Sequence, residues 1–305
     1  MNLELLDRLS AIHSPSGEEF RMKEFILGYV REHRNSWKSQ PIVLNEPRFG
    51  DGLVLVFGEP RTVVLTHMDT IGFMVRYGNQ LIPIGGPQVQ NGYPIGGEDS
   101  LGPVACQLQV DEAHNLFHDF PRAIDRGTSL VFRDPVVVDD TQIRGPYLDN
   151  RLGLYNALTV AETLENGALA FSCFEEIGGG NVPALLDSMV EKYPIRQALI
   201  SDITWVTEGV KAGEGVAISI RDQNIPRREF VIRIIALAEK SGVAFQLEVE
   251  GGGSSDGAQV RHSRHGLDWC FIGAPESNVH SPAECVQISD LESMIALYRY
   301  LLQSL

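Results

Sequence analysis

The sequence predicts an α/β fold: a mixed sheet flanked by helices, interrupted by a small inserted β domain. Three observations carry that prediction. From Leu152 onward, runs with helical apolar spacing alternate with short β-branched runs, the pattern of a sheet covered by helices. Between about 74 and 138 the alternation stops. There "NQLIPIGGPQVQNGYPIGG" and "RDPVVVDDTQIRG" are short apolar pieces broken by Gly and Pro, as in a small all-β unit. Finally, 305 residues, 43% hydrophobic and 21% charged, fill a sizeable core and exceed a typical single domain. The expected division is a main domain of 1–73 and 139–305 around an insertion of 74–138.

The elements follow in order. The first thirty residues read as helix, with Ser16 and Glu19 spaced as a capping box before "FRMKEFILGYV". "GLVLVF" and "RTVVLTHMD" are turn-bounded, β-branched strands. After the insertion, "RLGLYNALTVAETLE" puts Leu154, Ala157, Leu158, Ala161 and Leu164 on one helical face. Strand "ALAFSCF", helix "VPALLDSMVEK", strand "QALISD" and helix "RREFVIRIIALAEK" come next. Strands "FQLEVE" and "DWCFIGA" precede a closing helix near "SDLESMIALYRYLLQ", where Ser289 and Glu292 form a second capping-box spacing.

Composition excludes several functions. Forty acidic against 25 basic residues, a formal net charge of -15, disfavour nucleic acid and anionic membrane as partners, since both need clustered Lys and Arg. No basic start leads into a long apolar core, so no signal peptide is expected, and no apolar run approaches the roughly 20 residues of a membrane span. Cys106, Cys173, Cys270 and Cys285 show no C-x-x-C spacing. Cys173 and Cys270 lie in apolar runs, where buried reduced thiols are expected, so a cytoplasmic protein is expected.

Residues with metal-ligand chemistry fall where the predicted strands end. "VVLTHMD" ends in His67 and Asp69, "FSCFEE" in Glu175 and Glu176, and "ALISD" in Asp202. His280 lies in the loop after "CFIGA", and Asp149 in "GPYLDNRLG" just before a helix. Each alone has a plainer role: His67 or His280 as an ordinary histidine, Asp202 as a turn residue, Asp149 as a helix-start acid. Together they suit a site at the carboxyl ends of strands in an open α/β sheet. Two His with several carboxylates fit Zn, Mn or Co better than Mg or Ca. Asp69, two residues beyond His67, can accept a hydrogen bond from the far ring nitrogen and fix its tautomer.

The stretches "THMDTIGFMV", "GPYLDNRLG", "FEEIGGG", "SDIT", "GGSSDGAQV" and "GAPESNVHSPAE", in this order over residues 66 to 284, resemble the tetrahedral, or deblocking, aminopeptidases. These are dinuclear metallopeptidases sometimes labelled endoglucanases. The resemblance implies a zinc-aminopeptidase-like catalytic domain acting on peptides. It implies two divalent ions per subunit, zinc first and cobalt or manganese as alternatives. By it Asp149 bridges the ions, His67 and Asp202 complete one site, and Glu176 and His280 the other. Glu175 then looks like the general base and Asp69 the partner of His67. Strand alternation agrees with dividing the glutamates, since successive side chains point to opposite faces. The resemblance also implies a homo-oligomer built through the insertion, from a dimer up to a dodecamer.

Three features depart from that family. Asn150 follows Asp149 where a second Asp is usual, "IGGGNV" lacks a basic residue after the glutamates, and the insertion looks short. On the same scaffold, a carboxypeptidase or an N-acyl amino acid deacylase would use the same centre. A glycosidase needs two separated carboxylates and no histidines, which adjacent glutamates supported by two His fit poorly. A non-catalytic scaffold would have no reason to keep all seven residues.

Overall fold

The computed structural model describes residues 2–305. Its helices are α1 (Leu3–Ser10), α2 (Phe20–His33), α3 (Leu148–Ala161), α4 (Val182–Lys192), α5 (Arg228–Ser241), α6 (Gly257–His262) and α7 (Ile288–Ser304). Strands β1 (Ile42–Leu44), β2 (Leu53–Phe57) and β3 (Thr62–His67) come first. Then follow β4 (Gly72–Val75), β5 (Gln80–Ile84), β6 (Pro94–Asp99), β7 (Gly102–Val110), β8 (Leu116–His118) and β9 (Ser129–Phe132). The remainder are β10 (Val137–Val138), β11 (Gln142–Arg144), β12 (Gly167–Ser172), β13 (Gln197–Trp205), β14 (Val216–Arg221), β15 (Phe245–Val249), β16 (Asp268–Ser277) and β17 (Cys285–Gln287).

One large mixed sheet has the order β1-β2-β12-β3-β13-β16-β17-β11-β10, with β14 paired to β16 and β15 to β14. Its centre, β12-β3-β13-β16, is parallel. Such strands are covered on both faces, which is why "TVVLTH" and "GALAFS" are apolar-rich runs buried at every position. Alternation splits them between two cores. Val64 and Leu199 join the core beneath α1, α2, α3, α5 and α7. Val63, Leu65, Ala198 and Ile200 pack on the other face with α4 and α6. Helix α3 is buried on all sides rather than along one stripe. It lies so close to the sheet that a Cβ on Gly153 would sit 2.4 Å from the Ser201 carbonyl oxygen.

Strands β4-β5-β8-β7-β6-β9 close a small barrel around Phe73, Leu81, Ile95, Leu108, Leu130 and Phe132. Here the helical period vanishes from the sequence, and β10 and β11 return to the large sheet. All four cysteines are free, with Cys173 and Cys270 buried. Among the described residues no helix is long and apolar enough to cross a membrane.

Several local expectations fail. Helix α2 starts with Glu19 at its N-cap and no side-chain cap bond, and α7 starts with Gln287 at its N-cap, again without one. Ser16 and Glu19 are drawn inward instead. The Ser16 hydroxyl donates to Asp69 Oδ2 at 2.6 Å, while the Glu19 carboxylate accepts from the N–H groups of Gly17 and Phe174. Strand β14 and helix α6 are absent from the elements expected from the sequence.

Candidate metal centre

Parallel packing aligns the carboxyl ends of β12, β3, β13 and β16, and the seven residues gather there. His67 ends β3. Asp202 lies inside β13, which continues to Trp205 rather than stopping at the aspartate, because β16 pairs with it throughout. His280 follows β16, and Asp149 sits in the first turn of α3, where it and Asn150 have non-helical backbone angles. The glutamates are not on a strand. β12 ends at Ser172, Phe174 turns left-handed at φ 66°, and Glu175–Ile177 form a 3-10 turn. Successive side chains there diverge by about 120° instead of alternating. Strand alternation therefore does not separate Glu175 from Glu176; the 3-10 turn does.

Two donor clusters share one carboxylate. His67 Nε2 lies 3.1 Å from Asp149 Oδ1 and 3.6 Å from Asp202 Oδ2. His280 Nε2 lies 3.4 Å from Asp149 Oδ2 and 3.2 Å from Glu176 Oε2. Ligand atoms of His67, Asp149 and Glu176 also fall within 4.8 Å of one another, across the two clusters. Each histidine has its other nitrogen on a backbone carbonyl: His67 Nδ1 is 3.1 Å from the Asp69 oxygen, and His280 Nδ1 is 3.1 Å from the Gly86 oxygen. A carbonyl only accepts, so each Nδ1 carries a proton, and Nε2 is the nitrogen turned toward the carboxylates. Gly86 belongs to the loop after β5, so the barrel segment orients one of these histidines.

The charges of this cluster suit divalent cations. Burial opposes protonation of His67, but Asp202, Asp149 and Asp69 outweigh it and hold its pKa well above the ordinary value. Burial likewise opposes the His280 imidazolium, yet Asp149 and Glu176 push its pKa up to about 11. Asp149 is buried too, but the two histidines bring its carboxyl well below the usual range. The remaining acids lack enough positive charge. Burial, then the charge of Asp149, pushes Glu176 up to about 7, and burial pushes Asp202 up to about 6. Glu176 Oε1 is buried without a hydrogen-bond partner among the described residues. Imidazole nitrogens and carboxylate oxygens converging on an excess of negative charge fit zinc, cobalt or manganese.

Carboxylates from distant segments hold the centre in place. Asp69 is completely buried, and its Oδ1 accepts the Glu175 N–H at 3.0 Å while its Oδ2 accepts the Glu176 N–H at 3.1 Å. Its carboxylate also approaches His67 Nδ1 at 3.4 Å, farther than its own backbone carbonyl. Asp69 thus anchors the glutamate turn as much as the histidine, a role sequence spacing did not suggest. Glu284, missed in the sequence, accepts the N–H of His280 at 2.9 Å and of Asp149 at 3.4 Å. Asn150 donates to the Ser201 carbonyl at 2.9 Å and accepts the Gly153 N–H at 2.9 Å. A carboxylate there could not make the first bond without a proton, so the amide suits this chain's packing. Asp69→Ala strips acceptors from three donors and is expected to lower the unfolding free energy by about 3–5 kcal/mol in a urea titration. A loss under about 1 kcal/mol would show that the turn is held by other contacts.

A cavity of ≈ 340 Å³ opens beside these groups, lined by Glu175, Glu176, Asp149, Asp202 and His280 and extending to Asp222, just after β14, and Glu248 on β15. Burial, ahead of the opposing His67 charge, pushes the Glu175 carboxyl well up; Asp202, Asp256 and Glu176 add to the rise.

The sequence model describing M42 glutamyl aminopeptidases matches residues 105–297. A relative from Acetivibrio thermocellus, named for aminopeptidase activity, is 22% identical over 330 residues, spanning 96% of each chain. An aminopeptidase from the archaeon Desulfurococcus kamchatkensis superposes with TM-score 0.85 at 22% identity, over 99% of this chain and 94% of that one. A TET peptidase of Pyrococcus horikoshii, which assembles into a tetrahedron or a large octahedral shell, superposes with TM-score 0.81 at 21% identity over 98% of both chains. The mixed sheet and its flanking helices are shared with these structures.

Proposed function

The chain belongs to the M42 glutamyl aminopeptidase family, and from that membership and the site geometry we propose a metal-dependent aminopeptidase with Glu175 as general base. The carrying observation is Asp149, whose two carboxylate oxygens face different histidines. In this reading His67, Asp202 and Asp149 hold one divalent ion, and Glu176, His280 and Asp149 a second. When bound, such a pair acidifies a water and polarises the carbonyl under attack.

The remaining chemistry falls to the chain's own side chains. Glu175 lines the cavity, with its backbone tethered to Asp69 and its carboxylate left to work. It takes a proton from the attacking water as the oxygen–carbon bond forms, and returns it to the departing nitrogen as the carbon–nitrogen bond breaks. Burial raises its pKa well above the usual carboxylate value, and a higher pKa makes a stronger base. The cavity lining contains several carboxylates and neither Lys nor Arg, which favours a substrate with a free amine over one with a free carboxylate. That lining argues against the carboxypeptidase alternative.

Chelation is expected to abolish hydrolysis of aminoacyl chromogenic substrates. Adding back zinc, cobalt or manganese should restore it, with about two ions bound per chain by metal analysis. Full activity in protein shown to hold no metal would end the proposal.

A further inference from the structure

The cavity continues past the candidate centre into a second acidic region that the proposed hydrolysis does not use. We infer that this region is a side-chain subsite for a cationic N-terminal residue, lysyl or arginyl, an inference that rests on the aminopeptidase reading.

The sheet builds this region. Thr204 lies two residues beyond Asp202 on β13, so both side chains share a face about 6.6 Å apart along the strand. The Thr204 hydroxyl donates to Glu248 Oε1 on β15, and the Thr207 hydroxyl donates to Glu250 Oε1 at 2.6 Å. Asp222, just after β14, completes an acidic wall with Glu248 and Glu250. Asp222 and Glu248 are buried. No Lys or Arg lines the cavity; Arg221 lies beside the wall, its Nε donating to the backbone carbonyls of Asp222 and Glu250.

Two further observations point to a ligand carrying donors on an apolar stem. Asp256 also lines the cavity and is 1% exposed; Ser172 donates to its Oδ2, while its Oδ1 has no partner among the described residues. Ile203, Trp205 and Phe271 also line the cavity and supply apolar surface there. A four-carbon stem lies along such a surface while its charged tip reaches the carboxylates. A glutamyl side chain would meet like charges there and be rejected.

The test compares lysyl, arginyl, norleucyl and glutamyl p-nitroanilides on the metal-loaded, full-length protein. Norleucine has the lysine stem without its ammonium. Lysyl kcat/KM is expected to exceed norleucyl by at least about tenfold and glutamyl by at least about 100-fold. The lysyl-to-norleucyl ratio should fall by at least about fivefold in Glu248→Gln. Glu250→Gln, at a more accessible position, covers the case where Glu248→Gln does not fold. Lysinamide should also raise the melting temperature more than norleucinamide, a readout free of turnover. A lysyl-to-norleucyl ratio of one or less, or one unchanged in both variants, overturns the subsite alone. If the metal-loaded protein cleaves none of the four, the aminopeptidase reading falls and takes the subsite with it.

Discussion

Glu175→Gln is expected to lower kcat by about 10²–10⁴-fold while the metal content stays at the wild-type level. The amide nearly reproduces the shape of the carboxylate but cannot take a proton from water. The fold of the turn should survive, because Glu175 is fixed through its backbone N–H on Asp69, not through its side chain. Among the described residues, neither histidine is in hydrogen-bond contact with the Glu175 carboxylate; His67 meets Asp149 and Asp202, and His280 meets Asp149 and Glu176. KM should therefore move far less than kcat. Steady-state kinetics with metal analysis on the same preparation decide the point. A variant that has lost an ion would mean that Glu175 is a ligand.

Asp149→Asn should be the most damaging of the ligand substitutions, because one carboxylate serves both clusters. Removing its charge weakens both at once, whereas Glu176→Gln weakens only the cluster around His280. After dialysis against a metal buffer, Asp149→Asn is expected to retain fewer ions per chain than Glu176→Gln. Its kcat/KM should fall by more than the ~10²-fold that marks loss of a supporting group around a metal. Glu176→Gln should keep about one ion and recover part of its activity in excess metal. Two ions retained in Asp149→Asn would rule out the shared-carboxylate arrangement.

The large sheet was legible in the sequence because parallel strands covered on both faces must be apolar-rich throughout, and "VVLTH", "ALAFS" and "QALIS" are. The barrel was legible as an absence of helical period, since closed antiparallel strands use short runs and glycine turns. The candidate residues were legible for a related reason: each has a plainer role alone, but several His and carboxylates falling together at the carboxyl ends of such runs form a set where open sheets bind ligands. Their conformations were not legible. Phe174 turns left-handed where Glu19, 155 residues away, accepts its N–H, and Asp69, 106 residues from Glu175, fixes the turn that follows. The same Ser16 and Glu19 look locally like a helix cap, but burying them beside Asp69 gives their oxygens partners that spacing along the chain cannot reveal. Asp222, Glu248 and Glu250 carry no motif at all. They become one acidic wall only because β15 pairs with β14 and β14 with β16. Sequence spacing reports the interactions a segment makes with itself; which carboxylates meet is settled by hydrogen bonds and packing between segments far apart in the chain.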